Sequence, residues 1–219
     1  MTVSVENFVK VIYKQSQLSK ADTRLSTIAG ILNISNAAAT DMARKLASRQ
    51  LVNYTKYKPL TLADKGKELA LKVLRKHRLW ETFLYKTLNL SLHQIHIEAE
   101  QLEHLTSDYL ANQIDHYLGS PLTDPHGDPI PAFNGQIETD QSHTQLSNAK
   151  AANHYTVARL SGSERDFFEF CTSNGLMIGS TLWVEKQISS PKMTEIKTNK
   201  KKILLHEDFT KLIFVKPAN

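Results

Sequence analysis

Four of the seven prolines in this chain fall within residues 121–131, at Pro121, Pro125, Pro129 and Pro131, interleaved with Asp124, His126, Gly127 and Asp128. Proline has no backbone donor and its ring collides with the preceding turn, so no helix continues through this stretch. The chain is thereby cut in two. Before the cut, apolar residues recur at helical spacing; beyond it they gather into short runs of strand character over residues 155–160, 181–184, 203–205 and 211–215, with a short helix over 164–171 between them. A chain of 219 residues with 41% hydrophobic and 22% charged residues can supply more than one core.

The first third reads as helices followed by a short ribbon. Val5, Phe8, Val9, Ile12 and Tyr13 mark one helix, and Thr23 or Ser26 can cap a second through Ile28, Ala29, Ile31 and Leu32. A turn over residues 33–36 leads to a third helix over 37–49, whose predicted inner row is Ala38, Met42 and Leu46. Strand-like residues 51–54 and 60–62 flank the basic stretch Thr55 to Pro59. Helix, turn, helix and basic hairpin make a winged helix-turn-helix, whose second motif helix enters the major groove. Residues 1–66 carry ten Lys/Arg against four Asp/Glu, a net +6, while 67–120 carry −1 and 121–219 carry zero. The whole basic excess lies where a polyanion would dock. Ser35, Ala37, Thr40 and Asp41 are then expected at base edges, and Arg44, Lys45, Arg49, Lys56 and Lys58 at phosphates. The competing reading, a helical packing module without a ligand, leaves that charge and the small side chains of Ser35, Ala37, Ala38 and Ala39 unexplained.

The middle third concentrates metal donors. His77, Glu81, His96, Glu100, Glu103 and His104 fall within 28 residues without one thiolate. On a helix with His96 at zero, Glu100 projects near ~40°, Glu103 near ~−20° and His104 near ~80°, so all four share one face. Leu92, Ile95, Ala99, Leu102, Leu105 and Tyr109 lie beside them, placing the donors at the border of a buried stripe. Carboxylates there are costly unless paired or metallated. The alternative is an exposed helix whose His and Glu support each other at i,i+4. This helix is expected to run unbroken to Leu118, with Gly119 as its terminator. Two long apolar helices exceed what one small DNA-binding module can cover, and a homodimer interface is the natural use for the surplus.

Other features exclude function classes. Cys171 is alone, which rules out an internal disulfide framework and a Cys-rich zinc site, and it reads as a small buried apolar residue. No apolar run approaches 18 residues and the first residues lack signal-peptide character, so a cytoplasmic protein without a membrane partner is expected. There is no Gly-rich phosphate loop or nucleophile motif. A hydrolase using carboxylate-bridged metals stays open as an alternative, as does a metal-independent DNA-binding protein with vestigial sites.

The stretches Leu51-Val52-x-Tyr54-x-x-Tyr57-x-x-Leu60-x-Leu62-x-x-x-Gly66, His77-Arg78-Leu79-x-Glu81-x-Phe83-Leu84, His96-x-Glu98-Ala99-x-x-Leu102-Glu103-His104 and Asp124-Pro125-His126-Gly127-x-Pro129-Ile130-Pro131 resemble the metal-dependent transcriptional repressors of the diphtheria toxin repressor and manganese transport regulator type. The resemblance implies a mostly α fold with small β parts: a winged helix-turn-helix over 1–66, a helical dimerisation and metal-binding domain over 67–134, a linker over 135–152 and an SH3-like β-barrel over 153–219. It implies a repressor, not an enzyme, that binds double-stranded palindromic operators as a homodimer. One metal site would use His77, Glu81 and His96, with Glu164 reaching over from the barrel. A second would use Glu100, Glu103 and His104 with Asn7 from the first helix, where members commonly have Met or Asp; Glu6 is the alternative donor. Iron-type members carry Cys where this chain has Glu100. Carboxylate and imidazole donors suit Mn²⁺, with Fe²⁺ second, although Zn²⁺ or Cu²⁺ can bind such sites more tightly. Metal-free, the carboxylates of the second site are expected to repel one another.

Overall fold

A computed structural model of the chain describes residues 2–18, 20–138, 142–162, 164–199 and 201–218. Helix α1 (Val3–Ser16) packs Val5, Phe8, Val9 and Ile12 against α2 (Leu25–Ile31), α3 (Asn36–Ser48) and the start of α4 (Asp64–Leu88). Ser35 caps α3 by accepting from the Ala38 backbone N–H at 3.1 Å. The inner row of α3 is Ala39, Ala43 and Leu46, while Ala38 is exposed. The predicted row was one residue out at its start because Ala37, Ala38 and Ala39 are identical and carry no hydropathic phase.

Strands β1 (Val52–Asn53) and β2 (Thr61–Leu62) pair antiparallel, Val52 opposite Leu62, and form the wing. Gly66 lets α4 close on this ribbon: a Cβ there would sit 1.9 Å from the Leu51 carbonyl oxygen. Helix α4 has 25 residues, a span of ~37 Å at 1.5 Å per residue. Its first half buries Ala70, Leu71 and Leu74 with the N-terminal helices, and its second half buries Leu79 and Leu84 in two further clusters.

The continuous helix expected from His96 to Leu118 is broken. Helix α5 (Leu92–Leu102) opens with a capping box from Ser91 and Gln94, and α6 (Asp108–Tyr117) begins at its own cap, Ser107, which accepts from the Leu110 N–H at 3.1 Å. The Thr106 hydroxyl accepts from Trp80 Nε1 and donates to the Leu102 carbonyl, both at 2.7 Å, fixing the turn that carries Glu103 and His104. The capping hydroxyl outcompetes continued periodicity, and Leu105 and Tyr109 end up 86% and 74% exposed instead of lining the core.

Beyond the proline-rich turn, β3 (Thr144–Gln145), a 3₁₀ turn (Leu146–Asn148), β4 (Asn153–Leu160), α7 (Arg165–Ser173), β5 (Thr181–Ile188), β6 (Met193–Lys197), β7 (Lys202–His206), α8 (Glu207–Thr210) and β8 (Ile213–Pro217) follow. The strands form one six-stranded antiparallel sheet in the order β3-β8-β4-β5-β6-β7, with Val157 opposite Val215 and Ile196 opposite Ile203. Part of the expected linker belongs to this unit, since Leu146 and Ala149 are buried in its core; residues 139–141 of that linker lie outside the described residues. Leu84, Leu92 and Ile95 join the same cluster as Val157, Phe168 and Val184, so the sheet domain and the middle helices share a core. Cys171 is buried there, and burial pushes its thiol up to about 12.

Candidate metal centre

Helices α1, α4 and α5 bring the imidazoles and carboxylates together. His77 and Glu81, one turn apart on α4, are both buried. Glu81 Oε1 lies 3.0 Å from His77 Nε2 and 3.0 Å from His96 Nδ1, while His77 Nδ1 and Glu103 Oε2 are 2.6 Å apart. His104 Nδ1 meets Glu6 Oε2 at 2.6 Å, which ties the turn after α5 to α1. Two groups of donors converge, with ligand atoms within 4.8 Å of one another: His77, His96 and Glu100, and Glu100, Glu103 and His104. Glu100 belongs to both. Glu100 and the His77–Glu103 bond thus link the two expected three-donor sites into one continuous network.

Lys10 changes the electrostatics expected for the metal-free chain. Its Nζ donates to Glu100 Oε1 at 2.8 Å and to Glu103 Oε1 at 2.5 Å, and the residue is 4% exposed. The carboxylates do not face one another unscreened, because an ammonium stands between them. The expectation of mutual repulsion is thus corrected. Position 10 gave no signal of this role, since a single Lys on a helix face is ordinarily solvated. For the Glu100 carboxyl, burial opposes ionisation, but the charges of Lys10 and His77 win and hold it below its usual range. Burial likewise opposes a charged His77, yet Glu81 and Glu103 raise its pKa to about 9. Glu81 is held well below the carboxylate range by His77, His126 and His96 against the effect of its own burial.

Two buried polar atoms here form no hydrogen bond among the described residues, Asn7 Oδ1 and His104 Nε2, the latter facing Glu103 Oε1 at 3.1 Å. Buried acceptors are rarely left so, and both belong to residues of the expected donor set. Glu6 and Asn7 lie four and three residues before Lys10 on α1, so each is a helical neighbour of Lys10. Orphaned acceptors beside clustered carboxylates and imidazoles fit a divalent cation.

Glu164 is exposed at the N-cap of α7 and joins neither donor group. The side chain that approaches from the proline-rich turn is His126, whose Nε2 lies 3.5 Å from Glu81 Oε1 and whose ring nitrogens lack hydrogen-bond partners among the described residues. Burial opposes its protonation, but Glu81 and Asp124 raise its pKa. Asp124 Oδ1 accepts from the His126 and Asp128 N–H groups at 2.8 and 2.9 Å, and burial with the nearby charges of Glu81 and Asp128 pushes its carboxyl up to about 8. Gly127, at φ +85°, presses on β4, where a Cβ would sit 2.1 Å from the Ala158 carbonyl oxygen beside a bulge in the β4–β8 register. Leu160 N–H donates to the His126 carbonyl at 2.8 Å. Asp124 and His126 were legible in the sequence as polar residues among prolines, but nothing local tied them to Glu81.

In α3 and the wing, Ser35, Ala37, Asp41, Arg44, Lys45, Arg49, Lys56 and Lys58 are all exposed and Thr40 is half-buried. Thr40 donates to the Asn36 carbonyl at 2.7 Å, and Lys56 Nζ sits 4.8 Å from the centroid of the Tyr57 ring. The recognition helix and wing thus offer polar and cationic side chains on free surfaces.

Residues 1–60 match the family model described as the iron dependent repressor N-terminal DNA binding domain, and residues 63–132 match its metal binding and dimerisation domain. A solved manganese-dependent transcriptional repressor in complex with manganese superposes with a TM-score of 0.90 at 32% identity, over 98% of this chain and 100% of that one. This chain belongs to the iron-dependent repressor family. An uncharacterized HTH-type transcriptional regulator of Methanocaldococcus jannaschii is 34% identical over 118 residues, 54% of this chain and 94% of that protein. The diphtheria toxin repressor of Corynebacterium glutamicum is 29% identical over 148 residues, 68% of this chain and 64% of that protein. As a member of the iron-dependent repressors, the chain is a metal-dependent, DNA-binding transcriptional repressor with a dimerisation domain, and not an enzyme. His77, Glu81, His96, Glu100, Glu103 and His104 all lie in its metal binding and dimerisation segment, whereas Glu6, Asn7 and Lys10 come from its DNA-binding segment. Among the described residues no helix is long and apolar enough to cross a membrane.

Proposed function

We propose that this repressor responds to Mn²⁺ and, when loaded, binds palindromic operators as a homodimer. The observation that carries the reading is the meeting of α1 with the donor cluster of α4 and α5. Glu100, Glu103 and His104, with Asn7 or Glu6 from α1, would hold one ion; His77, Glu81 and His96, with His126 in the role expected of Glu164, would hold a second. The metal supplies a divalent charge that replaces internal pairing between the two segments. Carboxylate, amide and imidazole donors without a thiolate favour Mn²⁺ over softer-site metals. Fixing α1 against α5 fixes the winged helix relative to the dimerisation domain, so metal and operator affinities rise together.

We read residues 1–66, 67–134 and 142–218 as the three modules, the third including β3 and the buried Leu146 and Ala149, with Ser35, Ala37, Thr40 and Asp41 toward base edges and Arg44, Lys45, Arg49, Lys56 and Lys58 toward phosphates. Exposed Leu105, Tyr109 and Tyr117 on and before α6 supply apolar surface for a second copy. The test is retardation of promoter DNA with Mn²⁺, Fe²⁺ and Zn²⁺ at buffered free concentrations, in parallel with EDTA. Retardation that appears at the lowest physiological Mn²⁺ level and vanishes in EDTA supports the reading. Equal retardation in EDTA and Mn²⁺ refutes the switch, and response to Fe²⁺ alone refutes the metal assignment.

A further inference from the structure

We propose that Lys10 is a built-in cation that occupies the Glu100 and Glu103 carboxylates in the metal-free repressor and withdraws to solvent when they take a divalent ion, thereby setting the metal concentration at which the protein switches. The inference rests on the assignment of Glu100 and Glu103 as metal donors given above.

An ammonium has three donors and no acceptor, so Lys10 cannot itself ligate a cation. It stands where a cation belongs, bonded to Glu100 at 2.8 Å and to Glu103 at 2.5 Å. Lysine is almost never buried unless paired, and Lys10, at 4% exposure, has both of its pairing oxygens inside the donor cluster. Those same two residues lie in the group Glu100, Glu103 and His104 that could hold an ion. Lys10 cannot remain in place beside a second positive charge on those oxygens, because like charges in contact are strongly unfavourable in a buried setting. Its stem has four rotatable carbons, so the head group can leave without displacement of α1. Metal must therefore outcompete an internal ligand as well as lose its own hydration, and every affinity at this site is weakened by the strength of the Lys10 pairing.

The placement also changes what loading does. Lys10 already connects α1 to α5, as Glu6 does through His104. Switching exchanges a monovalent link for a divalent one, in place of creating a link where none existed.

The experiment uses the full chain as wild type, Lys10→Met and Glu103→Gln. Mn²⁺ affinity is measured by competition with a fluorescent chelator, and Lys10 accessibility by amine labelling and mass spectrometry in EDTA and in saturating Mn²⁺, with exposed Lys14 as the reference. Lys10→Met is expected to bind Mn²⁺ ten-fold or more tightly, the opposite of what loss of a merely structural contact gives. In the wild type, Lys10 is expected to be protected in EDTA and to label at a rate near that of Lys14 in Mn²⁺, a readout that stands even where the variant folds poorly. Equal or weaker Mn²⁺ binding by folded Lys10→Met, or continued protection of Lys10 in saturating Mn²⁺, overturns the proposal while leaving the metal site intact. Absence of Mn²⁺ binding by the wild type, or wild-type affinity in Glu103→Gln, overturns the site assignment and the role of Lys10 with it.

Discussion

Replacing Glu103 by glutamine removes a negative charge from a position that is 1% exposed, while keeping its shape. Two cations depend on it: Lys10 at 2.5 Å and His77 at 2.6 Å. Removing one partner of a buried pair costs about 3–5 kcal/mol when the other charge is stranded. Here the loss is smaller. Lys10 keeps Glu100 at 2.8 Å, and His77 keeps Glu81 at 3.0 Å or sheds its proton. Shedding it at pH 7 costs at most ~2.7 kcal/mol at 1.36 kcal/mol per unit, because the wild-type pKa of about 9 includes the share that Glu103 itself contributes. We therefore expect Glu103→Gln to destabilise the metal-free protein by roughly 2–3 kcal/mol, a large share of the 5–15 kcal/mol typical of a domain. Saturating Mn²⁺ should then widen the gap, since a ligand at 100 times its Kd stabilises the wild type by ~2.7 kcal/mol and the variant lacks the donor. Urea unfolding followed through Trp80 on α4 and Trp183 on β5 reads both halves of the molecule. Coincident transitions of wild type and variant in EDTA would refute the electrostatic argument. An equal gain of both proteins in Mn²⁺ would refute the ligand assignment.

Three further outcomes follow from the same geometry. Gly127→Ala places a Cβ against the Ala158 carbonyl at a φ of +85° and should cost about 2–4 kcal/mol, seen as an earlier unfolding midpoint and faster proteolysis around residues 132–153. The pKa of His77 in the folded chain, about 9, lies above its unfolded value of 6.5, so its contribution of ~3 kcal/mol is fully present below pH ~6.5 and is lost as pH rises through 9; metal-free unfolding free energies measured from pH 6 to 9.5 should fall accordingly, and a flat profile contradicts the pairing. Arg44→Ala should weaken operator binding across sequences and reduce the slope of log affinity against log salt by about one, whereas an unchanged slope removes Arg44 from the phosphate contacts.

Sequence pattern was most informative where one physical signal acted alone. Helix α4 carries an unbroken apolar period and ends where Asn89 supplies a left-handed stop. The α5–α6 break was not, since Leu105 and Tyr109 continue the period while Ser107, one residue, overrides it by capping. In α3 three consecutive alanines erased the phase. At the candidate centre, His77, Glu81, His96, Glu100, Glu103 and His104 stood out through local spacing. Lys10, Asp124 and His126 did not, because their meaning arises across 93, 43 and 45 residues of chain: Lys10 pairs with Glu103, the charge of Glu81 acts on Asp124, and Glu81 lies 3.5 Å from His126. The orientation of Glu164 is equally illegible in sequence: a carboxylate at the start of a helix reads the same whichever way it points.

Helix α4 contributes side chains to all three hydrophobic clusters and carries His77 and Glu81 between them. Each residue advances a helix by ~100°, so deleting the exposed Lys72 would leave every core's composition unchanged yet turn the imidazole and carboxylate that far from α1. The helix is thus a phase lock between sensor and reader. Its length can change only by whole turns, which restricts insertions in this segment far more tightly than burial alone would.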